Sequence, residues 1–245
     1  MSRPLRLFVP ALFEGELELS DEGAHYALRV HRVAVGDELV LFDPSTCTEA
    51  DAIVTRTSRD KLRCRTRALR EGRRATLGAR LVQCVGKGDK VDEVIRAATA
   101  LGVAAVTLAE SERTVVKLTD RERAQARLER WRGIALDAAR QSGRGDLPEI
   151  SGPFAFGEAL SREGEGALKI CLQPRAAVRY GDLLSTRAGP VTLLVGPEGG
   201  FSENELALAQ EQGFTPASFG DFELRTELAG VAALGAILAL QPART

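Results

Sequence analysis

The spacing of hydrophobic positions changes about one third of the way along the 245-residue chain. Up to about residue 70, apolar residues occur in short, turn-bounded runs that are compatible with β-strands. These runs cover residues 5–9, 16–19, 38–42, 50–57 and 61–67. One short helix is predicted among them over residues 20–32, with Ser20 as its N-cap. The pattern predicts a small β-barrel.

From residue 76 onward, strand-like and helix-like periods alternate. Apolar runs predict strands over residues 79–85, 103–109, 168–172, 191–195 and 216–219. Helices are predicted over residues 89–101 and 119–142, after Ser202, and over residues 226–240. This alternation predicts an α/β fold, a parallel sheet with helices on both faces. The polar, glycine-containing segment 70–75 separates the two patterns, so we place domains at residues 1–72 and 73–245.

Charge is unevenly distributed along a chain whose formal net charge is −1. Residues 1–144 carry 26 Lys/Arg against 21 Asp/Glu, whereas residues 145–245 carry 7 against 13. The basic first part favours an anionic partner, with a solvated arginine-rich surface as the alternative. Within it, period-two spacing places Lys61, Arg63, Arg65 and Arg67 on one face of a strand. This stripe could follow the phosphates of an anionic partner such as a nucleic acid, or it could protect an edge strand by charge.

Other classes of function find little support in the composition. Four scattered cysteines and two histidines predict no metal site. The N-terminus lacks a signal-peptide pattern, and the longest apolar stretch, residues 228–240, is too short to span a membrane, so we expect a cytoplasmic protein. An aromatic content of 5% gives no support for an extended base-stacking platform.

Two glycine-containing loops near the C-terminus each follow a predicted strand and lead into a helix. The first loop is Val195-Gly196-Pro197-Glu198-Gly199-Gly200-Phe201-Ser202. The second loop is Phe219-Gly220-Asp221-Phe222-Glu223-Leu224-Arg225-Thr226-Glu227. Glycine lets backbone amides approach a ligand closely, and two such turns at one sheet edge predict a composite pocket. Neither loop has the dinucleotide fingerprint or the phosphate-loop pattern, which argues against a nucleotide-dependent oxidoreductase.

Both loops resemble the signatures of a bacterial SPOUT-class methyltransferase family that methylates N3 of one uridine in 16S ribosomal RNA. Segments that match the family in order extend along the chain: Arg6-Leu7-Phe8-Val9, His25-Tyr26-x-x-x-Val30-x-Arg32, Lys87-Gly88-Asp89-Lys90, Ser111-Glu112-Arg113 and Gln141-Ser142-Gly143-Arg144. The chain departs from the family pattern at Phe222, Glu223, Leu228 and Arg140, which stands where a glutamate is usual. The competing interpretation is a non-catalytic RNA-binding or ribosome-assembly module that keeps the fold as a scaffold.

The resemblance implies a PUA-like β-barrel over residues 1–72, followed by a SPOUT α/β domain whose parallel sheet contains a trefoil knot. It also implies S-adenosyl-L-methionine as cofactor, a homodimer, and ribosomal RNA or the assembled small subunit as substrate. The implied cofactor-binding residues come from three loops: Leu172, Gln173, Val195, Gly196, Pro197, Glu198, Gly199, Gly200, Phe219, Gly220, Leu224, Arg225 and Thr226.

Uracil N3 becomes a nucleophile when its imide proton leaves, so a catalyst must accept the proton or stabilise the resulting anion. We expect Arg225 to stabilise the anion, because a guanidinium offers forked donors. A salt bridge from Arg225 to Glu223 or Glu227 is the alternative. Glu198 and Glu227 are candidates for proton acceptance or for favouring the positive charge of the sulfonium. The alternative is that they are helix N-terminal acids that interact with the macrodipole. Predicted RNA contacts are Arg29, Arg32, Lys61, Arg63, Arg65, Arg67, Lys87, Arg113 and Arg144.

Overall fold

The structure is a computed structural model that describes residues 4–19, 22–114, 121–164, 166–185 and 189–241. The chain divides into two compact units, residues 1–74 with 136–147 and residues 75–135 with 148–245. Residues 136–147, which the sequence analysis placed in the second domain, belong to the first unit. The physical reason lies in their contacts, since the Arg140 guanidinium lies 4.4 Å from the centroid of the Tyr26 ring and the Arg144 carbonyl accepts a hydrogen bond from Arg6.

The first unit contains one six-stranded sheet. Its strands are β1 (Leu5–Phe8), β2 (Gly15–Leu19), β3 (Glu38–Asp43), β4 (Thr48–Thr57), β5 (Leu62–Thr66) and β6 (Arg70–Glu71). The strand order is β1-β3-β4-β5-β2, with β6 beside β4. Among the described strands of this first sheet, only the pairing of β1 with β3 is parallel. Period-two alternation buries Leu62 and Cys64 of β5 while Arg63 and Arg65 stay exposed.

The helix predicted over residues 20–32 is shorter and irregular. It consists of α1 (Glu22–His25) and a π-helical turn, Tyr26–Val30. The predicted N-cap, Ser20, lies outside the described residues. The chain leaves the turn at Arg32, whose φ of 55° lies in the left-handed region.

The second unit alternates strands and helices around a second six-stranded sheet. Its strands are β7 (Ala79–Cys84), β8 (Ala105–Glu110), β9 (Glu149–Ala155), β10 (Leu168–Leu172), β11 (Val191–Val195) and β12 (Thr215–Ala217). Its helices are α2 (Lys90–Leu101), α3 (Arg121–Ser142), whose last turns belong to the first unit, α4 (Phe156–Ser161), α5 (Tyr180–Ser185), α6 (Glu203–Glu211) and α7 (Thr226–Ala239). All pairings in the order β12-β10-β11-β7-β8-β9 are parallel, as the alternation predicted.

Consecutive residues of the central strands point to opposite faces of the second sheet. In β11, Leu193 and Val195 join the core that contains α2 and α7, whereas Leu194 joins the core beneath α4 and α6. Helices therefore cover both faces, and the strands are apolar on both sides, as expected for a buried parallel sheet. In the described ranges, no helix combines the length and the apolarity that a membrane span requires.

Strand β9 and helices α4 and α5 were not predicted. Gly152 and Pro153 lie within β9, and both residue types argue against a strand interior. Strand β9 nevertheless forms because it lies at the edge of the sheet. Its free side has no neighbouring strand, so Pro153, which has no N–H, loses no interstrand hydrogen bond on that side. The capping box predicted at Thr119 lies outside the described residues.

Candidate functional site

A cavity of about 590 Å³ opens at the carboxyl ends of β10, β11 and β12. Three loops line it: the segment after β10, the first glycine loop after β11, and the second glycine loop before α7. Twelve of the thirteen residues predicted to bind a cofactor line this cavity. They are Leu172, Gln173, Val195, Gly196, Pro197, Glu198, Gly199, Gly200, Phe219, Leu224, Arg225 and Thr226. The thirteenth, Gly220, lies in the second loop with a φ of 79° but is not part of the lining.

The first glycine loop is held close to a buried aromatic ring. A Cβ added to Gly196 would lie 3.0 Å from the Phe201 ring, so the ring would have to move by a few tenths of an ångström to make room for it. Gly200 adopts a φ of 69° and donates a hydrogen bond to the Pro197 carbonyl at 2.9 Å. The turn therefore depends on glycine at both positions. The predicted capping box of α6 is confirmed, because the Ser202 hydroxyl and the Glu205 carboxylate each accept a hydrogen bond from the other residue's backbone amide.

One hydroxyl connects the two glycine loops. Thr226 donates a hydrogen bond to the Gly196 carbonyl and accepts one from the Gln83 side-chain amide at 3.0 Å. Gln83 lies in β7, is 1% exposed, and also donates to the Cys84 carbonyl at 3.1 Å. The position of the second loop is thus tied to the first loop and to the central sheet by buried hydrogen bonds.

Lys90, for which no site role was predicted, forms ion pairs with both glycine loops. Its ammonium lies 3.0 Å from a Glu198 oxygen and 3.5 Å from a Glu227 oxygen. Glu198 also accepts a hydrogen bond from the Lys87 backbone amide at 3.0 Å, and it approaches within reach because residue 86 is glycine. Of the two predicted acids, only Glu198 lines the cavity, while Glu227 lies beside Lys90 with its side chain 11% exposed.

These contacts determine the protonation of Lys90 and Glu198. Burial alone raises the pKa of Glu198, but hydrogen bonds from its own backbone amide, from Lys90 and from the Lys87 amide outweigh burial and lower the pKa. The pKa of Lys90 is raised, chiefly by its hydrogen bond to Glu198. Both groups are therefore charged near neutral pH, and Glu198 is a weak proton acceptor.

Arg225 lines the cavity with an exposed side chain. The alternative interpretation, a salt bridge to Glu223 or Glu227, is wrong for the residues that the structure describes. Glu223 pairs with Arg175 at 3.0 Å instead, and Glu227 pairs with Lys90. The Arg225 guanidinium therefore remains available to a ligand. A second exposed pair, Arg179 with Asp221 at 3.2 Å, also joins the loop after β10 to the second glycine loop.

Arg113 was predicted to contact RNA, but the structure places it in the wall of the cavity. Its guanidinium donates a hydrogen bond to the Gly199 carbonyl at 2.6 Å. The preceding residue, Glu112, donates its backbone amide to the buried carboxylate of Glu205 at 2.9 Å. The segment after β8 is therefore bonded both to the first glycine loop and to the helix that follows this loop. Its only local sequence signal was the match of Ser111-Glu112-Arg113 to the family pattern.

The predicted cationic stripe on β5 is exposed, and each of its four cations faces a carboxylate. The pairs and their N–O distances are Lys61–Glu18 at 2.7 Å, Arg63–Glu18 at 2.6 Å, Arg65–Glu16 at 2.8 Å and Arg67–Glu38 at 3.3 Å. Hydrogen bonds from Lys61 and Arg63 lower the pKa of Glu18 to about 2. The alternative of an edge strand is wrong, because β5 lies between β4 and β2. The stripe is therefore a ladder of exposed ion pairs, each of small energy.

The remaining predicted RNA contacts differ in exposure. Arg29 and Arg32 of the first unit, and Lys87 of the second, are exposed. Arg144 is only 7% exposed, and its guanidinium donates to the Asp146 carboxylate at 2.8 Å. A buried, paired guanidinium offers no surface to a phosphate, so the prediction for Arg144 is corrected to a structural role.

The comparisons with known proteins concern nearly the whole chain. Residues 74–238 match the model of the RNA methyltransferase domain family. The ribosomal RNA small subunit methyltransferase E of Mycobacterium bovis is 33% identical over 221 residues, which cover 89% of this chain and 83% of that protein. The same enzyme from Bacillus subtilis is 30% identical, with 89% and 88% covered.

Two solved structures are similar over almost their full length. A methyltransferase from Legionella pneumophila, in complex with bound SAM, has a TM-score of 0.89 at 32% identity and covers 97% of this chain and 98% of its own. A ribosomal RNA small subunit methyltransferase E from Neisseria gonorrhoeae, bound to S-adenosyl methionine, has a TM-score of 0.87 at 30% identity, with the same coverage. The chain belongs to the small-subunit ribosomal RNA methyltransferase E family of RNA methyltransferases.

Proposed function

We propose that this protein transfers a methyl group from S-adenosyl-L-methionine to N3 of a uridine in 16S ribosomal RNA. The observation that carries the proposal is the 590 Å³ cavity between the three loops, in a member of a family with two similar structures that hold the cofactor. The cavity volume lies within the range of about 300–1,000 Å³ that is typical of small-ligand sites. The N3 position rests on the sequence resemblance alone.

The cavity fits the proposed cofactor in shape and in chemistry. Leu172, Val195 and Ala229 supply apolar walls, while the Gly196–Gly200 backbone supplies polar groups next to them. The space in front of this backbone depends on glycine, since any side chain at Gly196 would meet the Phe201 ring. We assign the twelve predicted residues of the lining to cofactor binding. When bound, the cofactor supplies a methyl group on a sulfonium sulfur, which departs as a neutral thioether.

We assign Arg225 to the activation of the uracil. Loss of the N3 proton to water leaves a negative charge shared between N3 and the two carbonyl oxygens, and a guanidinium can donate two parallel hydrogen bonds to such an acceptor. The N3 electron pair then forms the new bond to the methyl carbon. Because Arg225 has no carboxylate partner among the described residues, its charge is not neutralised before RNA arrives.

The acidic residues have a different role in this proposal. Glu198 is a weak base, because its pKa is lowered, and its oxygens are engaged by Lys90 and by the Lys87 amide. Glu227 lies behind Lys90 and does not line the cavity. We therefore propose that both carboxylates hold the glycine loops in place and that solvent, not either acid, accepts the N3 proton.

We also infer the finer architecture that the family resemblance implies. In the second sheet, β11 lies between β10 and β7, although β10 comes before β11 in the chain. The strands that carry the cavity loops are therefore not arranged in chain order, and this supports a knotted path for these segments. The mixed sheet of the first unit supports a PUA-like barrel. Exposed Leu228 and Leu238 on α7 support a homodimer. We propose cytoplasmic action on the ribosomal RNA or on the assembled small subunit, with no membrane or metal partner.

The test is a comparison of Arg225→Ala with Arg175→Ala, a matched change of another exposed arginine in the cavity lining. Methyl transfer from radiolabelled cofactor is measured on small subunits from a strain that lacks the modification, and cofactor affinity is measured by calorimetry. We expect Arg225→Ala to lower kcat about 10²–10³-fold, the usual effect of losing one charge-stabilising donor. We expect its cofactor Kd to stay within about threefold, which is below 1 kcal/mol.

Each outcome decides a separate part of the proposal. Equal kcat values in the two variants would remove Arg225 from the chemistry. A wild-type protein that binds no cofactor would favour the scaffold function instead. Retention of N3-methyluridine in ribosomal RNA from a deletion strain, detected by mass spectrometry, would refute the proposed activity.

A further inference from the structure

The first unit contains its own cavity, of about 600 Å³, which the proposed methyl transfer does not use. The walls come from β1, from α1 with the π-helical turn that follows it, and from the last turns of α3. The side chains that matter here are Phe8, His25, Tyr26, Val30, Asp137 and Arg140. This volume again lies in the range of about 300–1,000 Å³ of small-ligand sites.

The cavity has flat and apolar walls with a few fixed polar groups. The Arg140 guanidinium lies 4.4 Å from the centroid of the Tyr26 ring, whose other neighbour is the His31 ring at 4.7 Å. Asp137 accepts two hydrogen bonds from Arg140 and holds the guanidinium in place. Because its one arginine is already paired, this cavity suits an uncharged, flat ligand better than a free phosphate.

Segments that resemble the family signatures meet at this cavity. Phe8 belongs to the first of these segments, His25, Tyr26 and Val30 belong to the second, and Arg140 directly precedes the last. The cofactor cavity of the second unit is lined by none of these residues. Two of these segments therefore supply side chains to one cavity, whereas Arg140 departs from the family pattern.

The surroundings of the cavity indicate the class of ligand. Arg29 and Arg32 are exposed and lie within two residues of Val30. Among the described residues, neither arginine takes part in an ion pair, in contrast to the cations of the β5 stripe. Cations beside an aromatic-lined cavity match a nucleic acid strand, whose phosphates lie next to its bases.

We propose that this cavity binds an unpaired nucleobase of the RNA substrate, with the adjoining phosphates on Arg29 and Arg32. Unstacked RNA bases are commonly held by aromatic rings and guanidinium planes and are recognised along their hydrogen-bonding edges. His25 and Asp137 supply polar groups for that edge. The proposal rests on the proposed function, since it takes ribosomal RNA as the ligand.

The test fills the cavity without removing a buried contact. Val30 is 63% exposed and lines the cavity, whereas Val35 is 62% exposed and does not. Val30→Trp is therefore compared with Val35→Trp as the matched control. The probe is unmodified 16S ribosomal RNA transcribed in vitro, and RNA affinity is measured by filter binding over a series of salt concentrations.

We expect Val30→Trp to weaken RNA binding about tenfold relative to the control, in line with the loss of one stacked base. The salt slope stays unchanged, because no phosphate contact is lost, and the cofactor Kd stays unchanged as well. Ultraviolet cross-linking of the wild-type complex, followed by mass spectrometry, is expected to yield a nucleotide adduct on the peptide that contains His25 and Tyr26.

Three results would overturn the inference. Equal RNA affinities of the two variants would exclude a base in the cavity, as would adducts confined to other peptides. A change in oligomeric state in Val30→Trp, with RNA affinity unchanged, would make the cavity an interface between copies of the chain. A wild-type protein that binds the RNA but transfers no methyl group would refute the proposed function alone, because binding still decides the nucleobase site.

Discussion

Replacement of Thr226 by valine tests whether the two glycine loops form one cooperative site. Valine keeps the branched shape but removes the hydroxyl that bonds the Gly196 carbonyl and the Gln83 amide. Thr226 is 8% exposed and Gln83 1% exposed, so water cannot easily replace either bond. Each buried polar group left without a partner costs about 1–3 kcal/mol. Since Gln83 keeps its bond to the Cys84 carbonyl, we expect a total loss of about 2–4 kcal/mol.

The assay uses the only tryptophan in the chain as a reporter of the second unit. Trp131 is 2% exposed and belongs to the core of that unit, so its fluorescence follows the unfolding of the relevant part in urea. We expect a lower midpoint with an unchanged m-value. Calorimetry is expected to show a cofactor Kd weakened about fivefold or more, equivalent to about 1 kcal/mol of lost loop alignment.

Thr226→Ser is the matched control, because it keeps the hydroxyl and removes only a methyl group. We expect the serine variant to lie within about 1 kcal/mol of the wild type in unfolding free energy. If valine and serine behave alike in both unfolding and cofactor binding, the hydroxyl does not couple the loops, and the site is held by the loop backbones alone.

Two further predictions concern the first glycine loop and the charge ladder. Gly196→Ala is expected to destabilise the second unit by about 1–3 kcal/mol, since its Cβ would lie 3.0 Å from the Phe201 ring. Thermal unfolding checks this, with Gly235→Ala as the control, because a Cβ at Gly235 would have no atom within 4 Å. The pKa of Glu18 is about 2 in the folded protein, against 4.5 ordinarily, so its contribution to stability is present above pH 4.5 and is lost as the pH falls toward 2. Carboxylate NMR titration is expected to show this pKa rising in Lys61→Ala, and an unchanged value would remove the ion pair as its cause.

The cavity of the second unit could be predicted from sequence because its walls are encoded locally. Each glycine loop is a short string that directly follows an apolar strand, and parallel strands bring their carboxyl ends to one sheet edge. Contacts between distant segments could not be predicted in this way. Lys90 pairs with acids more than 100 residues away, and no local pattern connects them. Arg113 likewise supports Gly199 through a loop whose direction depends on the folded sheet.

The sequence also could not show against which unit each part of a helix packs. The start and stop signals predict one helix over residues 119–142, but they do not say which core covers each end. Trp131 joins the core of the second unit, whereas Arg140 contacts Tyr26 of the first. The same limit affected Arg144, whose charge suggested an RNA contact until its burial beside Asp146 was known.

Because the cations of the ion-pair ladder on β5 are already paired, we expect RNA affinity in the first unit to come mainly from other cations. A phosphate that approaches Arg63 or Arg65 must displace the carboxylate of Glu18 or Glu16 and then remains close to that negative charge. The exchange returns little free energy, because an exposed ion pair and its phosphate replacement are of similar strength. Arg29 and Arg32 present no such competition among the described residues, so counterion release should be dominated by these two arginines. Neutralising Arg29 and Arg32 should therefore reduce the salt slope of RNA binding more than neutralising two cations of the ladder.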